Sequence, residues 1–247
     1  LRINPDTLIS ASGAEAGGLV VSYGKNHRVI HEGHITADGT QGIAALFSFG
    51  DNMLGNYYDE RGSYISQYYD ENGALRTYNP QYVDLDGPLV ERFDVSGSLV
   101  GGLASLFIDD NALVSNINIL NGAYLQGDII SLWDPTDDRV QVPEGVSATS
   151  LVTQLTFGLA KNADGSVNSE TADPQFHLAY NGNIYALPAK QEQTPGWAKI
   201  QMRVAGGTLS FNGTAKLLSV TVDEGATLKG NATYDLTVLQ SPETNEI

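Results

Sequence analysis

Residues 117–128, Ile-Asn-Ile-Leu-Asn-Gly-Ala-Tyr-Leu-Gln-Gly-Asp, align without gaps with residues 220–231, Val-Thr-Val-Asp-Glu-Gly-Ala-Thr-Leu-Lys-Gly-Asn. Both copies begin with an apolar–polar–apolar run and then reach a Gly-Ala pair, a leucine and a second glycine. Such alternation is typical of a half-buried β-strand, and glycine accepts the backbone angles of a sharp turn. The pair of segments therefore predicts a repeated unit of strand, glycine turn and strand.

Other segments repeat in the same way. Ile9-Ser-Ala-Ser-Gly13 returns 26 residues later as Ile35-Thr-Ala-Asp-Gly39, and Gly42–Phe47 returns as Gly102–Phe107. One such unit cannot bury its apolar face alone, whereas stacked copies bury a continuous interior. Because helical periodicity is almost absent, we expect an all-β protein. The predicted fold is a right-handed parallel β-helix of about eight to ten coils, about 40–50 Å long.

Asn-Gly dipeptides leave a second architecture open. They occur at 72–73, 121–122, 181–182 and 212–213, and this dipeptide favours the tight turn of an antiparallel hairpin. The strands of a β-sandwich or a jelly roll alternate as well. A β-sandwich or jelly roll is therefore the alternative fold.

Two segments interrupt the repeats, and we expect them to project from one side of a single domain that spans residues 1–247. The first is a Tyr-rich insertion at about 50–92, and the second is a loop-rich insertion at about 161–196. Tyrosine provides a large amphipathic contact surface, as binding loops require. The first insertion holds seven of the 12 tyrosines, which are the candidate partner-binding residues: Tyr57, Tyr58, Tyr64, Tyr68, Tyr69, Tyr78 and Tyr82.

Composition limits the classes of partner. The chain has 29 acidic and 13 basic residues, a formal net charge of -16, and no Cys. Such a surface repels nucleic acid and anionic lipid, and no apolar stretch approaches the roughly 18 residues of a membrane span. We therefore expect neither nucleic-acid binding nor direct membrane insertion. Because the sequence starts at Leu1, we also expect the chain to be a piece of a larger protein.

An ordered series of short motifs carries a family resemblance that covers most of the chain. The series includes Gly33-His-Ile-Thr-Ala-Asp-Gly39, Ile108-Asp-Asp-Asn-Ala112, Leu155-Thr-Phe-Gly158, Tyr180-Asn-Gly-Asn-Ile184, Val204-Ala-Gly-Gly-Thr-Leu209 and Val222-Asp-Glu-Gly-Ala-Thr-Leu228. In this order the motifs resemble the passenger region of subtilisin-like serine protease autotransporters of Gram-negative bacteria.

The resemblance implies a β-helical stalk between a protease domain and an outer-membrane barrel, and it implies that the coils aid passenger folding. Those two domains would be the partners, and the location would be extracellular or on the bacterial cell surface, after export through the outer membrane. A subtilisin-type nucleophile needs a Gly-Thr-Ser segment, whereas Gly-Thr is followed here by Gln41, Leu209 and Ala215. No residue of this chain is therefore assigned as catalytic, and we expect the chain not to be an enzyme.

Four histidines and several acidic clusters are the remaining sources of chemistry. His27, His31 and His34 are interpreted as surface histidines, because equivalent strand positions four residues apart lie too far from each other to share one metal ion. We expect no metal site and no cofactor. Calcium is the one ligand left open, because turns rich in carboxylates supply the hard oxygen ligands that it prefers.

Two alternatives to a stalk follow from the same residues. An adhesin would bind a host-surface protein or glycan through the Tyr-rich insertion. A polysaccharide-cleaving β-helix enzyme would use carboxylates beside an arginine and an aromatic side chain. The nearest approach to such a site is a weak acidic cluster next to Trp133, formed by Asp134, Asp137, Asp138 and Arg139.

Overall fold

The computed structural model describes residues 1–50, 57–58, 64–65, 67–69, 72–77, 83–84, 88–135, 140–141, 144–147, 150–162, 165–186 and 199–236. Across these residues the structure is all-β, and no α-helix is found among them. The prediction of an all-β protein is confirmed.

The strands are numbered in chain order. The first half of the chain contains β1 (Arg2–Ile3), β2 (Leu8–Ala11), β3 (Gly17–Val21), β4 (His27–His31), β5 (His34–Ala37), β6 (Ile43–Phe47), β7 (Tyr57–Tyr58), β8 (Tyr64–Ile65), β9 (Gln67–Tyr69), β10 (Leu75–Thr77), β11 (Val83–Asp84), β12 (Val90–Val95), β13 (Ser98–Ile108) and β14 (Val114–Ile119). The second half contains β15 (Tyr124–Ser131), β16 (Val140–Gln141), β17 (Thr153–Phe157), β18 (Leu159–Lys161), β19 (Val167–Ala172), β20 (His177–Tyr180), β21 (Ile184–Ala186), β22 (Ile200–Val204), β23 (Thr208–Phe211), β24 (Thr214–Lys216), β25 (Ser219–Val222), β26 (Thr227–Lys229) and β27 (Thr233–Asp235).

Three sheets contain most of these strands, and all of their strand pairs are parallel. The first sheet has the order β1-β4-β12-β14-β17-β22-β25. The second has the order β2-β5-β13-β15-β21-β24-β27, with β6 beside β13 and β3 beside β6. The third has the order β20-β23-β26. A β-sandwich or a jelly roll is built from antiparallel strands. The parallel pairing therefore argues against the alternative fold.

The chain visits the sheets in a repeating order. We call each passage a rung. It begins with a strand of the first sheet and continues into the second sheet, in the last three rungs by way of the third sheet. The first sheet has seven strands, so the described residues form seven rungs rather than the eight to ten coils that we expected. At about 4.8 Å between paired strands, the stack rises by about 29 Å.

The core lies between the sheets, where apolar residues form columns from rung to rung. In the first sheet the successive register partners are Val29, Phe93, Ile117, Leu155, Met202 and Val220. The first five of these side chains are at most 1% exposed. Members of one column share one cluster with side chains of the other sheets, such as Leu99 and Phe47. Each rung thus buries its apolar residues against the rungs on either side.

Glycines lie where neighbouring rungs approach most closely. A Cβ on Gly39 would lie 1.6 Å from the carbonyl oxygen of Gly13, and a Cβ on Gly97 would lie 2.1 Å from that of Gly33. No side chain fits at either position without displacing a backbone. These contacts explain why glycine recurs at the turns of the repeated unit.

The two predicted insertions differ from the structure at their boundaries. Val90 already pairs with His27 in the first sheet, so the Tyr-rich insertion ends before about 92. Within the second segment, β18 and β19 form an antiparallel hairpin. However, His177–Tyr180 pairs with β23 and Ile184–Ala186 pairs with β15 and β24. Residues 177–186 therefore belong to the stacked sheets rather than to a lateral insertion at about 161–196.

Candidate functional site

Five of the seven predicted partner-binding tyrosines lie on short strands. Tyr57 and Tyr58 belong to β7, which pairs antiparallel with β8, the strand of Tyr64. Tyr68 and Tyr69 belong to β9, which pairs antiparallel with β10. Tyr78 and Tyr82 lie outside the described residues, as do the side chains of the other five. Partner binding by this set stays a prediction.

A network of hydrogen bonds holds the chain where it leaves the second sheet towards the Tyr-rich insertion. The Ser48 hydroxyl donates to a carboxylate oxygen of Asp109. The amide of Asn111 accepts from the backbone N–H of Phe49 at 3.1 Å and donates to the carbonyl oxygen of Gly50 at 2.8 Å. Residues more than 60 positions apart thus fix the start of the insertion against the next rung.

Asp134 is the one member of the weak acidic cluster that lies within the described residues. Its carboxylate lies 3.2 Å from Nζ of Lys199, an ammonium group that is almost fully buried. Burial lowers the pKa of Lys199, and the attraction of Asp134 opposes that shift. Trp133 is 2% exposed and donates its indole N–H to the carbonyl oxygen of Leu151. Trp133 is therefore a core side chain and not an exposed aromatic platform for a sugar.

Asp137, Asp138 and Arg139 lie outside the described residues. Their part in a glycan-cleaving site, and the calcium site left open by the carboxylate-rich turns, stay predictions. Within the described ranges, no group of three or more His, Cys, Asp or Glu side chains is placed to hold a metal ion.

The interpretation of His31 as a surface residue is wrong. His31 is fully buried, in a column of register partners between Ile3 and Val95. Its Nε2 lies 2.9 Å from the carbonyl oxygen of Ser98, and its Nδ1 has no hydrogen-bond partner among the described residues. Burial lowers the pKa of His31. The alternation of Val29 and His31 on one face of β4 is the sequence signal that could have revealed this position.

A polar groove of about 320 Å³, which no local sequence pattern indicated, lies on the outer face of the first sheet. We call it the amide groove. It crosses four rungs, and its lining consists of Glu91, Arg92, Asn116, Asn118, Gln154, Thr156, Leu159, Val167, Ser169 and Arg203. Along each strand, residues of the groove floor alternate with residues of the buried apolar column, because successive side chains of a strand point to opposite faces.

Most residues of the floor of the amide groove belong to two columns of polar register partners. In the first, Arg92, Asn116, Gln154 and Gln201 are successive register partners; in the second, the partners are Asp94, Asn118, Thr156 and Arg203. Because register partners lie side by side on adjacent strands, their equivalent side chains come within hydrogen-bond range. The repeated units thus present a regular polar surface that no single strand would provide.

Hydrogen bonds between rungs orient the side-chain amides. Asn118 donates to Oδ1 of Asp94 at 2.7 Å, and Asn116 donates to the carbonyl oxygen of Glu91 at 3.0 Å. Gln154 donates to Oε1 of Gln201 at 2.5 Å. All three bonds use the NH₂ groups, so they leave the amide oxygens of Asn116, Asn118 and Gln154 as acceptors.

Charges in the amide groove are paired. Nε of Arg92 lies 3.0 Å from Oδ2 of Asp94, yet neither atom makes a hydrogen bond within the described part of the chain. Burial raises the pKa of Asp94, and its hydrogen bond from Asn118 opposes that shift. At the far end, Arg203 binds Asp223 through two nitrogens, at 2.8 and 2.6 Å. The floor therefore combines fixed dipoles with compensated charges.

The hairpin of β18 and β19, described over residues 159–162 and 165–172, forms one wall of the amide groove; we call it the strap. Its Leu159 and Val167 form a small apolar cluster with Leu120 and Ala205, which belong to neighbouring rungs. The strap then runs back along the stack, where Lys161 forms an ion pair with Glu32 of the second rung. The bond from Lys161 is the main cause that lowers the pKa of Glu32.

The tip of the strap reaches the first rung. A Cβ on Gly165 would lie 3.0 Å from a guanidinium nitrogen of Arg2, and Arg2 also binds Glu32 at 2.7 Å. The described part of the strap is therefore held by its apolar cluster and by the ion pair of Lys161. It is a fixed wall for the groove rather than a free loop.

Comparison with protein-family models, with curated proteins and with solved structures finds no match. Of the residues that the structure describes, none belong to a helix that is long and apolar enough to cross a membrane.

Proposed function

We propose that the chain is a right-handed parallel β-helix that acts as a non-catalytic stalk. In this proposal it is the passenger segment of a secreted or surface-displayed autotransporter. It presents a subtilisin-like protease domain and aids the folding of the passenger. The family resemblance of the motif series is the source of this assignment, and the arrangement of the strands supports it.

The observation that carries the proposal is the continuous parallel pairing of the first sheet. Its seven strands pair in parallel from β1 to β25, although segments of very different length separate them in the sequence. Every rung adds backbone hydrogen bonds along the stack and buries apolar side chains against its neighbours. Such a stack keeps its two ends at a constant separation, as a spacer requires.

Two general arguments support the finer points. Parallel strands joined by a crossover connection are right-handed in nearly all proteins, which favours a right-handed coil. Contacts of the stack mostly join rungs that follow each other along the chain, so folding can proceed rung by rung as the chain emerges from a secretion channel. The net charge of -16 keeps such a chain soluble outside the cell.

A display experiment tests the proposal. A reporter peptidase is fused before residue 1, an outer-membrane β-barrel is fused after residue 247, and surface exposure of the reporter is measured by protease accessibility on intact cells. We expect higher exposure than with a flexible Gly/Ser linker of equal length. Leu155→Asp places an unpaired charge in the buried column and should reduce exposure to the level of the linker.

Gln126→Asp is the matched control, because Gln126 is exposed on β15. It should behave like the unmodified chain. Equal exposure with the flexible linker, or equal exposure with Leu155→Asp, would contradict the stalk function.

A further inference from the structure

We propose that the amide groove is a binding site for a short neutral oligosaccharide. This function lies beyond that of a stalk and does not depend on it. The groove has about 320 Å³ of space, which is at the lower end of the range for small-ligand sites. It is bounded by the outer face of the first sheet and by the strap.

The chemistry of the floor matches hydroxyl groups. Asn116, Asn118 and Gln154 each have an amide oxygen that makes no hydrogen bond within the described residues. The hydroxyl of Thr156 can donate and accept, and so can every sugar hydroxyl. Bonds between the rungs already hold these amides in place, so less side-chain freedom is lost when a ligand binds.

The charge balance favours a neutral ligand. The lining contains one acid, Glu91, and two bases, Arg92 and Arg203. Arg92 is paired with Asp94, Arg203 with Asp223, and Glu91 with Arg28. No unpaired cationic cluster is therefore present in this groove to bind a phosphate or a carboxylate, and the net charge of -16 repels anions.

The geometry favours a saccharide over a peptide. Extended peptides are usually recognised by the unpaired backbone of a sheet edge. The strands under the groove, β12, β14, β17 and β22, each pair with a neighbour on both sides, so the groove presents side chains rather than a free edge. Amides that repeat at about 4.8 Å along the stack suit a ligand whose hydroxyl groups also repeat.

Binding is tested with an array of neutral hexasaccharides of glucose, mannose, galactose and xylose, with oligogalacturonate and a heparin fragment as acidic counterparts. Hits are measured by titration calorimetry, and the NH₂ resonances of Asn116, Asn118 and Gln154 are followed by NMR. We expect at least one neutral hexasaccharide to bind and to shift those resonances. Preferential binding of the acidic probes, or the absence of binding to every neutral probe at millimolar concentration, would overturn the proposal.

Substitutions locate the site. Asn116→Ala combined with Gln154→Ala removes two hydrogen-bond acceptors and should weaken binding about tenfold or more. Ser169→Trp, on the exposed face of the strap, should block the groove without changing its floor. Gln126→Ala, on a different sheet, should leave the affinity unchanged.

Circular dichroism establishes that each variant is folded. If the double substitution unfolds the protein, Ser169→Trp remains as the test of the site. Unchanged affinity in a folded groove variant would place the ligand elsewhere and refute the proposal. The display assay of the stalk function is independent of this result.

Discussion

Acidification should destabilise this protein through His31. The imidazole is fully buried between Ile3 and Val95, and its Nε2 donates to the carbonyl oxygen of Ser98. A second proton would have to enter at Nδ1, which has no hydrogen-bond partner among the described residues. The folded state therefore holds this histidine neutral, and its pKa is lowered by burial.

The sign and the size follow from linkage. Because the pKa of His31 is lower in the folded state, the unfolded chain binds more protons below the ordinary value of about 6.5. The free energy of unfolding should then fall by up to about 1.4 kcal/mol for each unit of pH, from about 6.5 down to the folded-state pKa. His31→Leu removes the titrating group and should remove this slope.

The assay is urea denaturation, followed by circular dichroism at several values of pH between 5 and 7.5 (a range set by the reference pKa of about 6.5). The informative quantity is the difference in unfolding free energy between the unmodified protein and His31→Leu. His177→Leu, which removes an exposed imidazole, should retain the pH dependence of the unmodified chain. Parallel pH profiles for the unmodified protein and His31→Leu would refute the reasoning.

Three further predictions concern contacts between rungs. Gly39→Ala should destabilise the protein by about 1–3 kcal/mol or more through overpacking. Gly17→Ala, whose new methyl group has room, should change the stability little, and thermal denaturation of the two variants measures the difference. Asn212→Ala, which breaks a row of asparagine hydrogen bonds, should cost about 1–2 kcal/mol in urea denaturation, and an unchanged midpoint would show that the row is not stabilising. Tyr185 donates to Asp128 at 2.6 Å, and burial raises the pKa of Tyr185 to about 12. Ultraviolet titration of the unmodified protein at pH ~11 should therefore show fewer phenolates than free tyrosines would give. The deficit should be smaller in Tyr185→Phe.

The repeats identified in the sequence correspond closely to the register of the sheets. Ile9 aligns with Ile35 in the sequence and is its register partner. Ile117 and Val220 are aligned in the repeat although 103 positions separate them, and they lie in one column. These alignments succeed because each column needs an apolar side chain of similar size on every rung, and that requirement is visible in the residues.

One repeat is misaligned by a single residue. The sequence aligns Leu46 with Leu106, whereas the sheet pairs Leu46 with Phe107. Ala104, Leu106 and Phe107 each pair with a residue of β6 that lies 61 positions earlier, whereas the sequence repeat has a spacing of 60. An extra residue in a strand does not change the apolar pattern enough to be recognised in a single sequence.

The candidate site was beyond the reach of the sequence. The amide groove depends on which outward-facing polar residues become neighbours, and that depends on pairing across segments of variable length. Its wall depends on Lys161 reaching Glu32, 129 positions earlier in the chain. Local patterns contain no information on such a contact. The alternation of apolar and polar residues in 177–180 was visible in the sequence. Only the pairing of β20 with β23 shows that this segment belongs to the stack.

The strap also has a consequence for the order of folding. Most contacts of the stack form between rungs that are consecutive along the chain. The ion pair between Lys161 and Glu32 joins the fifth rung to the second, so it can form only after the fifth rung is present. The first four rungs must therefore fold without this ion pair, and its formation closes a long loop at a late stage of folding. Once closed, the loop should oppose unravelling from the amino-terminal end, and we therefore expect the protein to unfold more slowly than it would without this ion pair.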